Sequence, residues 1–343
     1  MGSYCGSGST CVSDCGSNDD CDPGNECNDR GQCQAGTPDP DIDSCVGITV
    51  VPEAVVPTVH LLIDHSGSME WNIIRDDTST EIRIVALDNA LLASADSVVP
   101  RLQSKVRFGA SLYAEHRNDC PWLSSVDPAL DNYQTIDDAI GAEFGPTQPS
   151  GGTPTGPALA EVAAELALRD PSEGPRIIVL ATDGEPNTCA SRDDTAGGRQ
   201  QSEDAVAAAF DTDGIETYVL SVGSEVSADH LQRLANLGRG KAADEAADPA
   251  PYYQALSAED LVAAFDTIVR GVRSCSFDLT GDLANVDRAR GAVTLDGTEL
   301  VKDVDWQFES PARLRLLGAT CDSFLDATEP ALEASFPCKI FIP

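Results

Sequence analysis

Oxygen-bearing side chains stand at three places where a buried segment gives way to a turn. Asp64, Ser66 and Ser68 alternate with other residues directly after the apolar run Val-His-Leu-Leu-Ile. Thr153 lies in Gly-Gly-Thr-Pro-Thr-Gly at the start of a predicted helix, and Asp183 follows a second apolar run. Carboxylate and hydroxyl oxygens suit Mg²⁺, Mn²⁺ or Ca²⁺ rather than zinc or copper. The spacing therefore predicts one hard-cation site built from these side chains.

The segments that must position this site alternate between two patterns. Continuous Val, Ile and Leu runs predict buried strands, and apolar residues at helical spacing, such as Ile84, Leu87 and Leu91, predict helices. This alternation predicts an α/β fold with a doubly wound, mostly parallel sheet, in which ligands bind beyond the carboxyl ends of the strands. Strands are predicted at 58–64, 106–113, 176–182 and 216–222 with an edge strand near 132–136, and helices at 80–98, 156–169, 201–211, 227–237 and 258–272.

The three motifs, in this order, resemble the von Willebrand factor A (vWA) family and its metal-ion-dependent adhesion site. The resemblance covers about residues 45 to 273 and implies the same doubly wound fold. It implies that Ser66 and Ser68 ligate the ion directly and that Thr153 does so directly or through water. It also implies that Asp64 and Asp183 act largely through water. A Glu or Asp of a partner protein then completes the shell of the ion.

Neighbouring side chains are assigned other roles. His60 lies in an apolar strand and is predicted to be a satisfied core residue, and His65 is predicted to pack within its loop. Trp71 and Trp122 are expected near the same edge, either as ligand contacts or as loop packing.

The composition narrows the classes of partner. The formal net charge is −35, so the chain should repel nucleic acid and anionic membrane surfaces and attract divalent cations or basic partners. Solubility is favoured over a dedicated acidic binding face as the reason for this charge. No apolar stretch is long enough to span a bilayer. We therefore expect neither nucleic acid nor a membrane span, and the resemblance implies a protein partner.

The cysteines point to an oxidising compartment. Of 12 cysteines, six lie within the first 33 residues, in a polar segment that needs disulfides to hold any shape. Their pairing is not determined by the sequence. The positions of the other six in the predicted fold suggest three bridges, namely Cys45–Cys275, Cys120–Cys189 and Cys321–Cys338. We expect a secreted or cell-surface protein.

Composition divides the chain into four parts. They are a cysteine-rich disulfide module at 1–37, a linker at 38–44, a vWA domain at 45–274 and a small antiparallel β domain at 275–343. Pro and Asp dominate the linker, while period-2 alternation and the Asp296-Gly297 pair predict hairpins in the last part. That last part resembles tails that follow vWA domains in secreted bacterial proteins, especially myxobacterial ones.

The function expected from the sequence is divalent-cation-dependent adhesion or protein binding outside the cytoplasm. One alternative is a structural subunit of an extracellular assembly, with the metal used for stability. The other is a metal-assisted hydrolase, which is less favoured because no nucleophile or general-base constellation accompanies the predicted ion. We therefore do not expect an enzyme. The sequence identifies neither the partner, nor the preferred metal, nor the oligomeric state.

Overall fold

The computed structural model describes the chain in segments. They are residues 4–5, 11–12, 25–27, 33–35, 48–50, 53–54, 56–75, 80–116, 119–141, 151–272, 275–279, 287–327 and 330–337. The chain separates into two compact units, which we call the α/β unit and the β unit. The α/β unit comprises Glu53–Phe277 and Arg315–Ala327, and the β unit comprises Met1–Pro52, Asp278–Leu314 and Thr328–Pro343. The four-part division expected from the sequence stays a prediction.

The helices and strands have the following bounds. The helices are α1 Gly67–Trp71, α2 Arg83–Leu91, α3 Val98–Leu102, α4 Tyr133–Ala139, α5 Thr155–Ala167, α6 Thr195–Asp213, α7 Ala228–Leu237, α8 Ala258–Val272 and α9 Gly318–Asp326. The strands are β1 Tyr4–Cys5, β2 Cys11–Val12, β3 Asn25–Cys27, β4 Cys33–Ala35, β5 Ile48–Val50, β6 Glu53–Ala54, β7 Thr58–Asp64, β8 Ile73–Arg75, β9 Thr80–Ile82, β10 Arg107–His116, β11 Asp119–Ala129, β12 Arg176–Thr182, β13 Glu216–Val222, β14 Tyr253–Ala255, β15 Ser276–Asp278, β16 Ala292–Leu295, β17 Thr298–Leu300, β18 Trp306–Ser310, β19 Arg313–Leu316 and β20 Leu332–Phe336.

The α/β unit is built on a six-stranded sheet with the order β11-β10-β7-β12-β13-β14. Its strands are parallel except for β11, which runs antiparallel to β10. Strands β7 and β12 are buried along their whole length. The predicted doubly wound, mostly parallel sheet is confirmed, and the carboxyl ends of its parallel strands meet at one edge.

The helices cover both faces of this sheet because successive side chains of a strand point to opposite sides. Leu61 and Ile63 of β7 pack in one apolar cluster with residues of α2 and α8. Leu62 lies in the other cluster, with residues of α5, α6 and α7. A strand buried on both faces carries apolar residues on both sides, which explains the apolar run before Asp64, in which His60 is the one polar residue.

Two local predictions are wrong. The segment near 132–136 begins helix α4, in which Ile136 is buried, and the edge strand is β11 instead. Strand β11 contains Pro121 and Pro128, and prolines argue against a strand except at a sheet edge. The predicted helix at 80–98 is divided into β9, α2 and α3. Between α2 and α3, Ser97 Oγ donates a hydrogen bond to the carbonyl of Asn89, and such bonds compete with helical ones.

The β unit contains a four-stranded sheet of order β17-β16-β20-β5. Every neighbouring pair of strands in this sheet is antiparallel. Asp296 and Gly297 join β16 to β17 with φ of 50° and 75°, the left-handed conformations that a tight hairpin requires. The predicted small antiparallel sheet in the C-terminal part is thus confirmed. At the N-terminus, Cys27 of β3 stands opposite Cys33 of β4, and both are disulfide-bonded.

The disulfides confirm one predicted bridge and correct two. Cys120 pairs with Cys189, as expected. Cys275 pairs with Cys321, so the predicted Cys45–Cys275 and Cys321–Cys338 bridges are wrong. The reason is the path of the chain after β19: Leu316 N donates to the Cys275 carbonyl at 2.9 Å, and α9 then starts beside β15. Cys45 and Cys338 lie outside the described residues.

No helix within the described part of the chain is long and apolar enough to cross a membrane.

Candidate metal centre

All five predicted site residues lie at the carboxyl edge of the six-stranded sheet. Asp64 ends β7, and Ser66 and Ser68 follow it at the start of α1. Thr153 precedes α5 by two residues, and Asp183 directly follows β12, the strand beside β7. Three loops that are distant in sequence therefore reach the same edge.

Asp64 is fixed by hydrogen bonds to both of its oxygens. Its Oδ1 accepts from the backbone N–H of Ser66 at 2.8 Å, and its Oδ2 accepts from Thr182 Oγ1 at 2.6 Å. The side chain is fully buried. Thr182 was not predicted as a site residue, although its position just before Asp183-Gly184 is a signal that the sequence does contain.

The two serines connect Asp64's loop to Asp183. Ser66 Oγ and Ser68 Oγ lie 3.1 Å apart, and Ser68 Oγ donates to Asp183 Oδ1 at 2.5 Å. Asp183 is itself buried. The first and third predicted motifs thus meet through a direct hydroxyl–carboxylate contact.

Thr153 joins the same cluster, as the space around Gly184 shows. A Cβ atom on Gly184 would lie 3.3 Å from Ser68 Oγ, 3.4 Å from Thr153 Oγ1 and 3.9 Å from Asp64 Oδ2. Three oxygens from two further loops therefore surround one point beside the backbone that follows Asp183. The structure brings all five predicted residues together.

The loop that carries Thr153 is held from two sides. Thr153 N donates to Asn187 Oδ1 at 3.1 Å, and Asn187 N donates to the Thr153 carbonyl at 3.0 Å. Gly151 N donates to the Glu115 carbonyl at 2.8 Å. A Cβ atom on Gly152 would lie 2.6 Å from Asn187 Oδ1, so a larger residue here would displace the Asn187 side chain that holds Thr153.

The loop after Asp183 is itself anchored near the same place. The Cys120–Cys189 disulfide ties it to the start of β11. Arg192 Nε donates to Glu115 Oε2 at 2.6 Å, which joins the loop to the end of β10. Glu185 accepts from Ser227 N and from Arg199 Nε, both at 2.7 Å. Asn187 and Asp183 thus stand on a cross-linked loop.

A further charged residue, Arg83, contacts the cluster and was not predicted. Its Nη1 donates to Asp183 Oδ2 at 2.6 Å, and its Nη2 lies 2.5 Å from Glu225 Oε2. Arg83 is only 3% exposed. Because it falls within a segment read as plain amphipathic helix, the sequence offers no motif that singles it out.

The electrostatics favour a cation at this place. Burial, and after it the neighbouring charge of Asp183, raise the pKa of Asp64 to about 7. Burial also raises the pKa of Asp183, against the opposing effect of its bonds to Ser68 and Arg83. Two carboxylates in a dry site repel each other, so a positive ion between them would stabilise both ionised forms.

The donor set fits a hard cation and not a soft one. Among the described residues, no group of three or more His, Cys, Asp or Glu side chains is placed to hold a metal. A cation here would be held by the carboxylates of Asp64 and Asp183 and the hydroxyls of Ser66, Ser68 and Thr153. Such an all-oxygen set with few charges suits Mg²⁺, Mn²⁺ or Ca²⁺.

The nearby histidine and tryptophans can also be placed. His60 is buried with its Nε2 2.7 Å from Ser111 Oγ, which confirms the predicted satisfied core residue, and burial lowers its pKa to about 3. Trp122 lies in β11, partly buried against the core, and its ring is 6.4 Å from that of His65 and 5.9 Å from that of His116. Trp71, at the end of α1, is 71% exposed.

Two solved structures to which the chain is similar are a Plasmodium protein and a bacterial pilus adhesin. The chain is similar to the manganese-loaded TRAP protein of Plasmodium vivax, with 18% identity, a TM-score of 0.42, and coverage of 65% of this chain and 76% of that one. It is also similar to the pilus adhesin SpaC of Lactobacillus rhamnosus GG, with 18% identity, a TM-score of 0.44 and coverage of 84% of this chain. The match spans only 40% of the SpaC chain. No curated protein sequence matches this chain.

The sequence profile of the von Willebrand factor type A domain matches residues 58–250. This span begins with β7 and includes all three loops that carry the five oxygen-bearing side chains. The chain belongs to the von Willebrand factor type A domain family.

Proposed function

We propose that this protein binds an acidic group of a partner protein through a divalent cation, outside the cytoplasm. The observation that carries the proposal is the convergence of five oxygen-bearing side chains from three loops, with Ser68 Oγ 2.5 Å from Asp183 Oδ1 and 3.1 Å from Ser66 Oγ. Mg²⁺ is the expected ion, with Mn²⁺ or Ca²⁺ as substitutes. When bound, the cation would supply a Lewis-acidic position for an external carboxylate.

The five site residues comprise two carboxylates and three neutral hydroxyls, and this small negative charge supports an acidic ligand for the cation. Only Asp64 and Asp183 bring negative charge to the cluster, and Arg83 donates to one of them. The remaining donors are hydroxyls, which leave the positive charge of a cation in place. A carboxylate from outside would find both charge and a coordination position there.

The fixed loops support binding rather than catalysis. Thr182 donates to Asp64, Asn187 holds Thr153, and the hydroxyl of Tyr113 lies 3.1 Å from Thr155 Oγ1. The polar groups nearest the five oxygens are therefore occupied in holding the loops. We infer that the chain is a binding protein and not an enzyme.

The disulfides support a location in an oxidising compartment. Cys120–Cys189 cross-links the loop that carries Asp183, and Cys275–Cys321 ties α9 to the chain beside β15. Disulfides of this kind persist in secreted and surface proteins and are rare in reducing compartments. We therefore propose a secreted or cell-surface protein, with adhesion as its role.

The experiment measures cation binding and carboxylate binding separately. Calorimetric titration with Mn²⁺ should show one site in the wild type, and the ¹⁹F relaxation of fluoroacetate should increase when the Mn²⁺-loaded protein is added. Asp183→Ala should lose both signals. Asp211→Ala, on the exposed surface of α6, is the matched control and should keep both.

The outcomes separate the candidate functions. Mn²⁺ binding that raises the melting temperature without any effect on fluoroacetate would favour a structural subunit with a stabilising metal. Failure of the wild type to bind Mn²⁺, Mg²⁺ or Ca²⁺ would refute the proposal. Hydrolysis of model esters that depends on Asp183 would favour the hydrolase.

A further inference from the structure

Arg83 occupies a place that the fold makes for its guanidinium group. It starts helix α2 and reaches from there to the loops that follow β12 and β13. Gly223 directly follows β13 and has φ of +104°. A Cβ atom on it would lie 2.7 Å from Arg83 Nη2. A glycine is required at this position both by its conformation and by the guanidinium beside it.

The charges around Arg83 differ in how strongly solvent screens them. Asp64, Asp183 and Arg83 are almost fully buried, whereas the side chain of Glu225 is 53% exposed. Water screens the charge of Glu225 more than those of the buried groups. Asp64, Asp183 and Arg83 thus bring two negative charges and one positive charge, and a divalent cation would make the sum of these three groups and the ion positive.

We propose that Arg83 sets the balance between holding the cation and accepting an external carboxylate. It binds Asp183 Oδ2, so that Oδ1 faces Ser68, and it offsets the charge of Asp183. The positive charge of Arg83 weakens binding of the bare cation, because two positive charges then lie close together. The same charge strengthens the attraction for an acidic ligand. This inference rests on the proposed function and makes Arg83 a positioning and specificity-determining residue within it.

The proposal predicts effects of opposite sign on two affinities. Arg83→Met should tighten Mn²⁺ binding by about tenfold, because like charges a few ångströms apart repel strongly in a poorly solvated site. The same change should weaken binding of fluoroacetate to the Mn²⁺-loaded protein by about tenfold. Arg83→Lys retains the charge and should move both affinities much less. A merely structural role would weaken both together and lower the melting temperature.

A second variant tests the same idea without removing the buried arginine. Glu225→Gln leaves the Arg83–Asp183 contact intact but removes the negative charge that partly offsets Arg83. Binding of Mn²⁺ should then weaken and binding of fluoroacetate should tighten, each by about two- to threefold because Glu225 is exposed. The matched control is Arg233→Met, which breaks an ion pair with Glu203 between α6 and α7 and should change neither affinity.

The possible results distinguish failure of the proposed function from failure of the proposed role of Arg83. If the wild type binds no divalent cation, the proposed function itself fails. If the wild type binds Mn²⁺ and fluoroacetate but Arg83→Met and Glu225→Gln shift both affinities in the same direction, only the role of Arg83 is overturned. The role of Arg83 is supported if Arg83→Met tightens Mn²⁺ binding and weakens fluoroacetate binding while Glu225→Gln does the reverse.

Discussion

The burial of Asp64 predicts a stability effect whose sign depends on pH and on metal. In the metal-free protein its carboxylate is dehydrated and faces the charge of Asp183, and these two causes raise its pKa from 3.8 to about 7. We predict that Asp64→Asn stabilises the metal-free protein above neutral pH. The amide can reproduce both existing contacts, with its oxygen accepting from Ser66 N and its nitrogen donating to Thr182 Oγ1.

The magnitude follows from the pKa shift. At about 1.4 kcal/mol per pKa unit, ionisation of Asp64 costs the folded state up to about 4 kcal/mol. Because the folded carboxyl holds its proton more tightly than the unfolded one, this carboxyl lowers the free energy of unfolding as pH rises from about 4 to about 7. The advantage of Asp64→Asn should be near zero at pH 4 and should reach a few kcal/mol at pH 8.

Urea denaturation in a chelator, at pH 4 to 8, measures the difference between the two proteins. Comparing the wild type with Asp64→Asn cancels the contribution of the other titrating groups to the free energy of unfolding. The control is Asp211→Asn on the exposed surface of α6, which should differ from the wild type by the same amount at every pH. In saturating Mg²⁺ at pH 8 the order should reverse, because only the wild type gains stability from the ion. If Asp64→Asn is less stable than the wild type at pH 8 in chelator, the electrostatic reasoning is wrong.

Three further predictions concern the groups that position the five oxygens. Thr182→Val removes the donor to Asp64 Oδ2 and should weaken Mn²⁺ binding by about tenfold in calorimetry, since a bond to a charged group is worth about 1.5–3 kcal/mol. Gly184→Ala places a methyl group within 3.9 Å of three site oxygens; it should weaken Mn²⁺ binding sharply while urea unfolding changes little. The double change Cys120→Ser and Cys189→Ser opens a loop of 69 residues, which should lower the unfolding free energy by about 4 kcal/mol on the chain-entropy estimate and weaken Mn²⁺ binding in the same samples.

The five predicted site residues could be singled out from the sequence because each stands where a recognisable pattern begins or ends. Asp64 and Asp183 follow largely apolar runs of the kind that strands buried on both faces contain. Since parallel strands end at a common edge of the sheet, residues that follow such strands are expected to lie near one another. The same reasoning placed Cys120 and Cys189 correctly.

The sequence was less informative where tertiary contacts decide the structure. Arg83 looks like any polar residue of an amphipathic helix, and its contact with Asp183 depends on α2 starting beside the loop after β12. The partner of Cys275 depends on the path of the chain into α9, which no local pattern reveals. Strand β11 is stabilised by pairing with β10 despite its polar residues and prolines.

The prolines of β11 also bear on how copies of this protein behave at high concentration. An unpaired strand at a sheet edge invites strands of other molecules to add to it, which leads to aggregation. Pro121 and Pro128 lack the N–H groups that such an added strand would need, so this side of the sheet is a poor template for self-association. Molecules of this protein should therefore associate little through β11, even at high concentration.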